Sequence, residues 1–115
     1  MFSFKKKYSL NERIKKSVYI ITKYPKSIPV IIQKQEHSDS PLIDKNKFIV
    51  PNDLTFGQFF FSIRKRFNLI PEESIYLFIN NKIPPMSALM SSIYKDDKDT
   101  DGFLYIFYTM EQTFG

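Results

Sequence analysis

At 115 residues the chain suffices for one hydrophobic core without covalent staples. It has no cysteine, which excludes disulfides, thiolate metal sites and a cysteine nucleophile, and it shows neither an apolar run of membrane-spanning length nor the apolar segment of a signal peptide. The net charge of +5 is concentrated at one end: residues 1–26 hold eight basic residues against Glu12 alone, a net of +7, while residues 27–115 hold nine basic and eleven acidic ones. Such a basic cap on a near-neutral body favours an anionic partner, whether an acidic protein surface, a membrane or a nucleic acid.

Residues 1–8 place Phe2, Phe4 and Tyr8 around three lysines, a short helix or an arm. Ser9 and Glu12 then have capping-box spacing. Leu10, Ile14, Val18 and Ile21 follow at i, i+4, i+8 and i+11, one apolar stripe of a helix, with Arg13 and Lys16 on the opposite face. Tyr24-Pro25 ends that helix, because the residue before proline avoids the α region.

From Ser27 to Lys34 the period changes to two: Ile28, Val30 and Ile32 alternate with Pro29, Ile31 and Gln33, a strand whose proline belongs near a ladder end or an edge. Ile31 falls on the face opposite the main core set. Gln35 to Asn46 reads as a polar loop in which His37 stands alone, without partners at metal-ligand spacing. Lys47 to Pro51 is a short strand stopped by proline, hence an edge.

Thr55 and Gln58 form a second capping box, followed by an apolar stripe of Phe56, Phe59, Phe60, Ile63 and Phe67 that reads as core. Arg64-Lys65-Arg66 belongs to its exposed side. Pro71 to Ser74 is a turn, and Ile75 to Ile79 a third apolar strand. Ser87 is a candidate cap for a short helix through Leu89, Met90 and Ile93, and Lys95 to Asp101 a charged turn.

Phe103 to Thr109 is rich in aromatic and β-branched residues and nearly continuous in apolar character, which predicts a central strand covered on both faces. Six residues later the sequence ends at Gly115, whose carboxylate has no side chain beside it. A tail held by a central strand would present that free carboxylate as a functional group.

The elements fit an α+β fold: a β-grasp, in which a helix crosses a four-stranded sheet, with an added N-terminal helical extension. The expected division is a basic extension over 1–26 and a β-grasp core with its tail over 27–115. No glycine-rich phosphate loop, metal cluster or nucleophile–base pair is evident, so the reading is a binding protein or modifier rather than an enzyme, with no cofactor.

Specific stretches carry a resemblance: Ile28-Pro29-Val30-Ile31, Phe48-Ile49-Val50-Pro51-Asn52-Asp53-Leu54-Thr55, Ile63-Arg64-Lys65-Arg66, Ala88-Leu89-Met90-Ser91-Ser92-Ile93-Tyr94, Asp101-Gly102-Phe103-Leu104-Tyr105 and Thr113-Phe114-Gly115. Together with shorter matches they make nearly the whole chain similar to the autophagy ubiquitin-like modifiers, the family of the yeast autophagy modifier, GABARAP and the microtubule-associated light chains. The resemblance implies that the β-grasp is ubiquitin-like and that Gly115 is joined to phosphatidylethanolamine by activating and conjugating enzymes, leaving the modifier cytoplasmic until lipidation attaches it to autophagosomal or related membranes. Many relatives carry residues beyond this glycine that a cysteine protease removes; a gene ending at glycine and a trimmed chain both remain open here.

The resemblance also implies capture of aromatic-x-x-aliphatic peptide motifs of cargo receptors and autophagy proteins, added as a strand beside residues 47–51. An aromatic pocket is implied at Lys16, Ile20, Pro29, Ile31, Lys47, Ile49 and Phe103. An aliphatic pocket is implied at Phe48, Val50, Pro51, Leu54, Phe59 and Ser62, with Lys45 and Arg66 facing acidic residues that flank the motif. Tyr76 and Phe78 match positions that touch lipid in relatives, with core packing the competing reading. Three residues depart from the pattern: Lys16 replaces a glutamate, Ser27 an arginine and Ser62 an apolar residue. A reading from a different class makes residues 1–26 a binding surface for tubulin or nucleic acid; nucleic acid is not expected, since exposed stacking aromatics are lacking.

Overall fold

The computed structural model describes residues 3–110. In chain order the elements are α1 (Phe4–Lys7), α2 (Leu10–Lys23), β1 (Ser27–Lys34), β2 (Lys47–Pro51), α3 (Phe56–Arg66), β3 (Tyr76–Phe78), α4 (Met90–Asp97) and β4 (Leu104–Thr109). One mixed sheet has the order β2-β1-β4-β3, with β1 and β4 parallel at its centre and antiparallel partners on either side. This is the expected β-grasp arrangement. β4 is central and β2 is an edge, as the residue patterns predict. Pro29 stands one residue before the first β1–β4 pair, Val30 with Leu104, so its missing N–H breaks no bond of that ladder.

Each face of the sheet is covered differently. On one face α3 and α4 close the main core, in which Val30, Ile32, Phe56, Ile63, Leu77, Met90, Leu104 and Ile106 are fully enclosed. Both capping boxes form, Ser9 with Glu12 and Thr55 with Gln58. On the other face α1 and α2 cover a smaller cluster of Phe4, Ile20, Ile31 and Phe103.

Here the structure corrects the reading of α2. The stripe of Leu10, Ile14, Val18 and Ile21 points to solvent, and the helix docks through Arg13, Ser17 and Ile20. The reason is the partner surface. Asp101 is buried and accepts hydrogen bonds from Arg13 Nη1 at 2.7 Å, from the Tyr105 hydroxyl and from the Phe103 N–H at 2.8 Å. The Ser17 hydroxyl donates to the Asp101 carbonyl at 2.6 Å. A buried carboxylate needs a charged partner as well as neutral donors, and this face of α2 supplies it in Arg13.

Smaller corrections have similar causes. Ser87 caps nothing: α4 begins at Met90 after Leu89, and its first N–H groups donate instead to the carbonyls of Leu54 and Asn52. Lys95 to Asp97, read as turn, continue α4. The polar loop 35–46 is partly buried, because the hydroxyls of Ser38 and Ser40 bond to each other and Ser38 to Thr109. Tyr76 and Phe78 are half-buried; between them Leu77 takes the core position.

Candidate peptide groove and conjugation tail

The edge strand β2 sorts its side chains by parity. Ile49 and Lys47 pair with Pro29 and Ile31 across the β1–β2 ladder, so these four lie on the α2 face of the sheet. Phe48 and Val50 pair with Val30 and Ile28 and lie on the α3 face. One strand, whose outer edge pairs with none of the described residues, thus has two sets of neighbours, one on each side. An extended peptide added along that edge would send alternate side chains to these two faces.

On the α2 side, Ile20, Ile31 and Phe103 meet in one cluster, with Pro29 buried beside them. Their surfaces are already occupied: the Phe4 ring packs edge-on against Phe103 at 5.0 Å between centroids and Tyr8 packs on Phe4. Of the apolar residues assigned to this pocket, Ile49 alone offers substantial free surface, at 43% exposure. Lys47 is exposed, and Lys16 is half-buried with its ammonium 4.5 Å from the centre of the Tyr8 ring.

On the α3 side, Val50 and Phe59 are buried in the main core, with Phe48 and Leu54 packed partly buried against it. Pro51 and Ser62 are exposed. Lys45 and Arg66 converge on Phe48, their cationic groups 5.2 Å and 4.9 Å from its ring centre, and Arg66 also donates to Asp44 at 3.1 Å. Two cations beside a half-buried ring form a positive rim at this side of the edge.

Residues missed in the sequence shape the site from behind. Phe4 and Tyr8 fill the α2-side cluster, and Arg13, Ser17, Asp101 and Tyr105 hold α2 against the sheet. The aromatic spacing near the N-terminus and the small residue one turn before Ile20 were the available signals. Burial, and then the bond to Asp101, raises the Tyr105 phenol well above the ordinary tyrosine value; the bond to Asp101 likewise raises Arg13.

At the far end of β4 a second network ties down the chain where the tail departs. The Met110 N–H donates to Ser40 Oγ at 2.8 Å, and the Tyr108 hydroxyl bridges the loop, donating to the Pro41 carbonyl at 2.8 Å and accepting from the Ile43 N–H at 2.9 Å. Gly115, the expected conjugation residue, lies outside the described residues.

The family model described as autophagy protein Atg8, ubiquitin-like, matches residues 12–115. The chain belongs to the Atg8 family. It is therefore an autophagy ubiquitin-like modifier by kinship. Among Atg8 relatives, autophagy-related protein 8 of the yeast Vanderwaltozyma polyspora is 51% identical over 113 residues, covering 98% of this chain and 96% of its own. Autophagy-related protein 8d of Arabidopsis thaliana is 50% identical over the same length, covering 98% and 94%. Among solved Atg8 structures, that of Trypanosoma brucei superposes with a TM-score of 0.89 at 37% identity, covering 100% of this chain and 99% of the other. The Plasmodium falciparum Atg8, solved in complex with a P. falciparum Atg3 peptide, gives 0.89 at 36% identity, covering 99% and 100%.

Proposed function

We propose that this protein is conjugated through Gly115 to phosphatidylethanolamine and that, on the membrane, it captures aromatic-x-x-aliphatic peptides at the β2 edge. The observation that carries the proposal is the β2 edge, unpaired among the described residues and with apolar neighbours on both faces, in a chain of the Atg8 family. The anchored end of β4 supports the first half, since bonds at Tyr108 and Met110 fix the point from which the tail leaves. By analogy with the Plasmodium complex, an Atg3 peptide is the first ligand to test. In this role the protein is the substrate of activating, conjugating and deconjugating enzymes and is not itself a catalyst.

Reconstitution with those enzymes and phosphatidylethanolamine vesicles tests the conjugation. Wild type should give a lipid-linked product and the Gly115-deleted chain none; equal product from both would refute the assignment.

Polyanion binding by residues 1–26 has weaker support, because Lys5 pairs with Asp99 and Lys16 rests on Tyr8. It predicts binding that collapses as salt is raised, whereas peptide capture should be much less sensitive.

A further inference from the structure

The two long helices carry equally clear apolar stripes, yet only one is spent on the core. α3 buries Phe56, Phe59 and Ile63. α2 leaves Leu10, Ile14, Val18 and Ile21 in solvent at 48%, 36%, 54% and 38% exposure. At about 100° per residue these four fall within about 80° of arc, a continuous ridge one quarter-turn from the docking residues Arg13, Ser17 and Ile20. From the same geometry Lys15 is the lysine of the helix nearest the ridge, and Glu12, its sole acidic residue, projects from the far side together with Lys16 and Lys23.

We infer that this ridge is a non-covalent docking face for an anionic lipid bilayer. Two properties select that occupant. The ridge is convex, the outer surface of a single helix, and four aliphatic side chains in a row offer no cleft for a peptide; a bilayer interface accepts a convex apolar ridge and takes its polar flanks in the headgroup layer. The charge is complementary: the first 26 residues carry a net of +7, of which +5 remains once Asp99 and Asp101, the partners of Lys5 and Arg13, are counted with them, so this end of the molecule is drawn to negatively charged headgroups. Apolar contact and lysine attraction are each weak alone, and reversible surface binding needs both.

This face is independent of Gly115, so the test uses the full, unconjugated chain. The protein has no tryptophan. Val18→Trp therefore places a single fluorescent probe in the ridge. With vesicles of equal parts phosphatidylserine and phosphatidylcholine, its emission should shift to the blue and the protein should float with the lipid. Phosphatidylcholine alone should bind about tenfold less. The charge-neutral double variant Ile14→Gln, Val18→Gln exchanges exposed side chains for good helix formers, and it should lose binding to the anionic vesicles by about tenfold while keeping its circular dichroism. Retained binding in the double variant, or an unshifted Val18→Trp emission on bound protein, would show that lysines alone hold the protein and would overturn the ridge. Absence of vesicle binding by wild type at low salt would overturn the proposal outright. So would a concentration-dependent dimer abolished by the glutamine pair, which assigns the ridge to a second copy.

Discussion

Gly102 has a φ of +91°, and a Cβ there would meet the Ser17 hydroxyl at 2.4 Å. Glycine is required at this point for both reasons, and its absent side chain lets α2 sit against the turn that leads into β4. Beside it, Tyr105 donates to the same Asp101 carboxylate as Arg13. Because the folded state raises the Tyr105 pKa, that state holds the phenolic proton more tightly than the unfolded chain does. The resulting stability is complete below about pH 10 and is lost as the pH climbs toward the folded-state value. Urea denaturation at a series of alkaline pH values should show a steep decline for wild type and a shallower one for Tyr105→Phe. Tyr94 and Tyr108, raised chiefly by burial, leave the variant a residual slope. Identical slopes would mean that Tyr105 does not titrate through the fold. Lys16 offers a second test at this scale. Its ammonium has donors only, so the indole N–H of a peptide tryptophan finds no acceptor there. An unmade hydrogen bond costs roughly 1–3 kcal/mol in a buried site and less in a wet one. Wild type should therefore favour phenylalanine or tyrosine over tryptophan more than Lys16→Glu does, in matched peptides differing only at that residue. An equal tryptophan preference in both proteins would clear residue 16 of any part in selection.

Among the elements, β2 has two unlike edges. Its inner edge pairs with β1, while its outer edge pairs with none of the described residues and its side chains alternate between the two faces of the sheet. Ile49 on one face and Leu54, just beyond the strand on the other, are separable probes. Motif peptides should bind with micromolar dissociation constants, on the order of −8 kcal/mol. Calorimetry on Ile49→Ala should record a loss of about 1–3 kcal/mol, the scale of burying an aliphatic side chain. Leu54→Ala should weaken the aliphatic position of the peptide separately. Unchanged affinity in both variants would remove the β2 edge from the binding account. The elements also explain where local rules lost to partners. Ser87 has a capping side chain, but the carbonyls of Leu54 and Asn52 reach the N-terminus of α4 first.

As a whole, the molecule is a sheet with a thick layer on one face and a thinner one on the other. The thin layer is held by the Arg13–Asp101 pair, in which the carboxylate is wholly enclosed and the guanidinium nearly so. Removing one partner of a buried pair leaves the other uncompensated, at about 3–5 kcal/mol. Asp101→Asn should lower the denaturation midpoint accordingly, and hydrogen exchange should rise first in α2 and only later in α3. Uniform loss of protection across both layers would show that the thin layer does not open separately.

The order of elements, the central place of the last strand, the edge character of residues 47–51 and both capping boxes follow from local chemistry: period, proline, and hydroxyl-to-backbone bonds that a short window contains. The resemblance to autophagy modifiers was legible for the same reason, as it rests on contiguous motifs. Three things were decided only by tertiary structure. The face on which α2 docks depends on Asp101, 88 residues from Arg13, and a helical stripe cannot report a carboxylate that distant. The filling of the α2-side cluster depends on Phe4 meeting Phe103 across the sheet. Loop 35–46, which reads in sequence only as a polar loop, is pinned to Thr109, Tyr108 and Met110 through hydroxyl bonds. In each case the deciding partner is remote in the chain, and amphipathic periodicity states that a helix has two faces without stating which one the core will take.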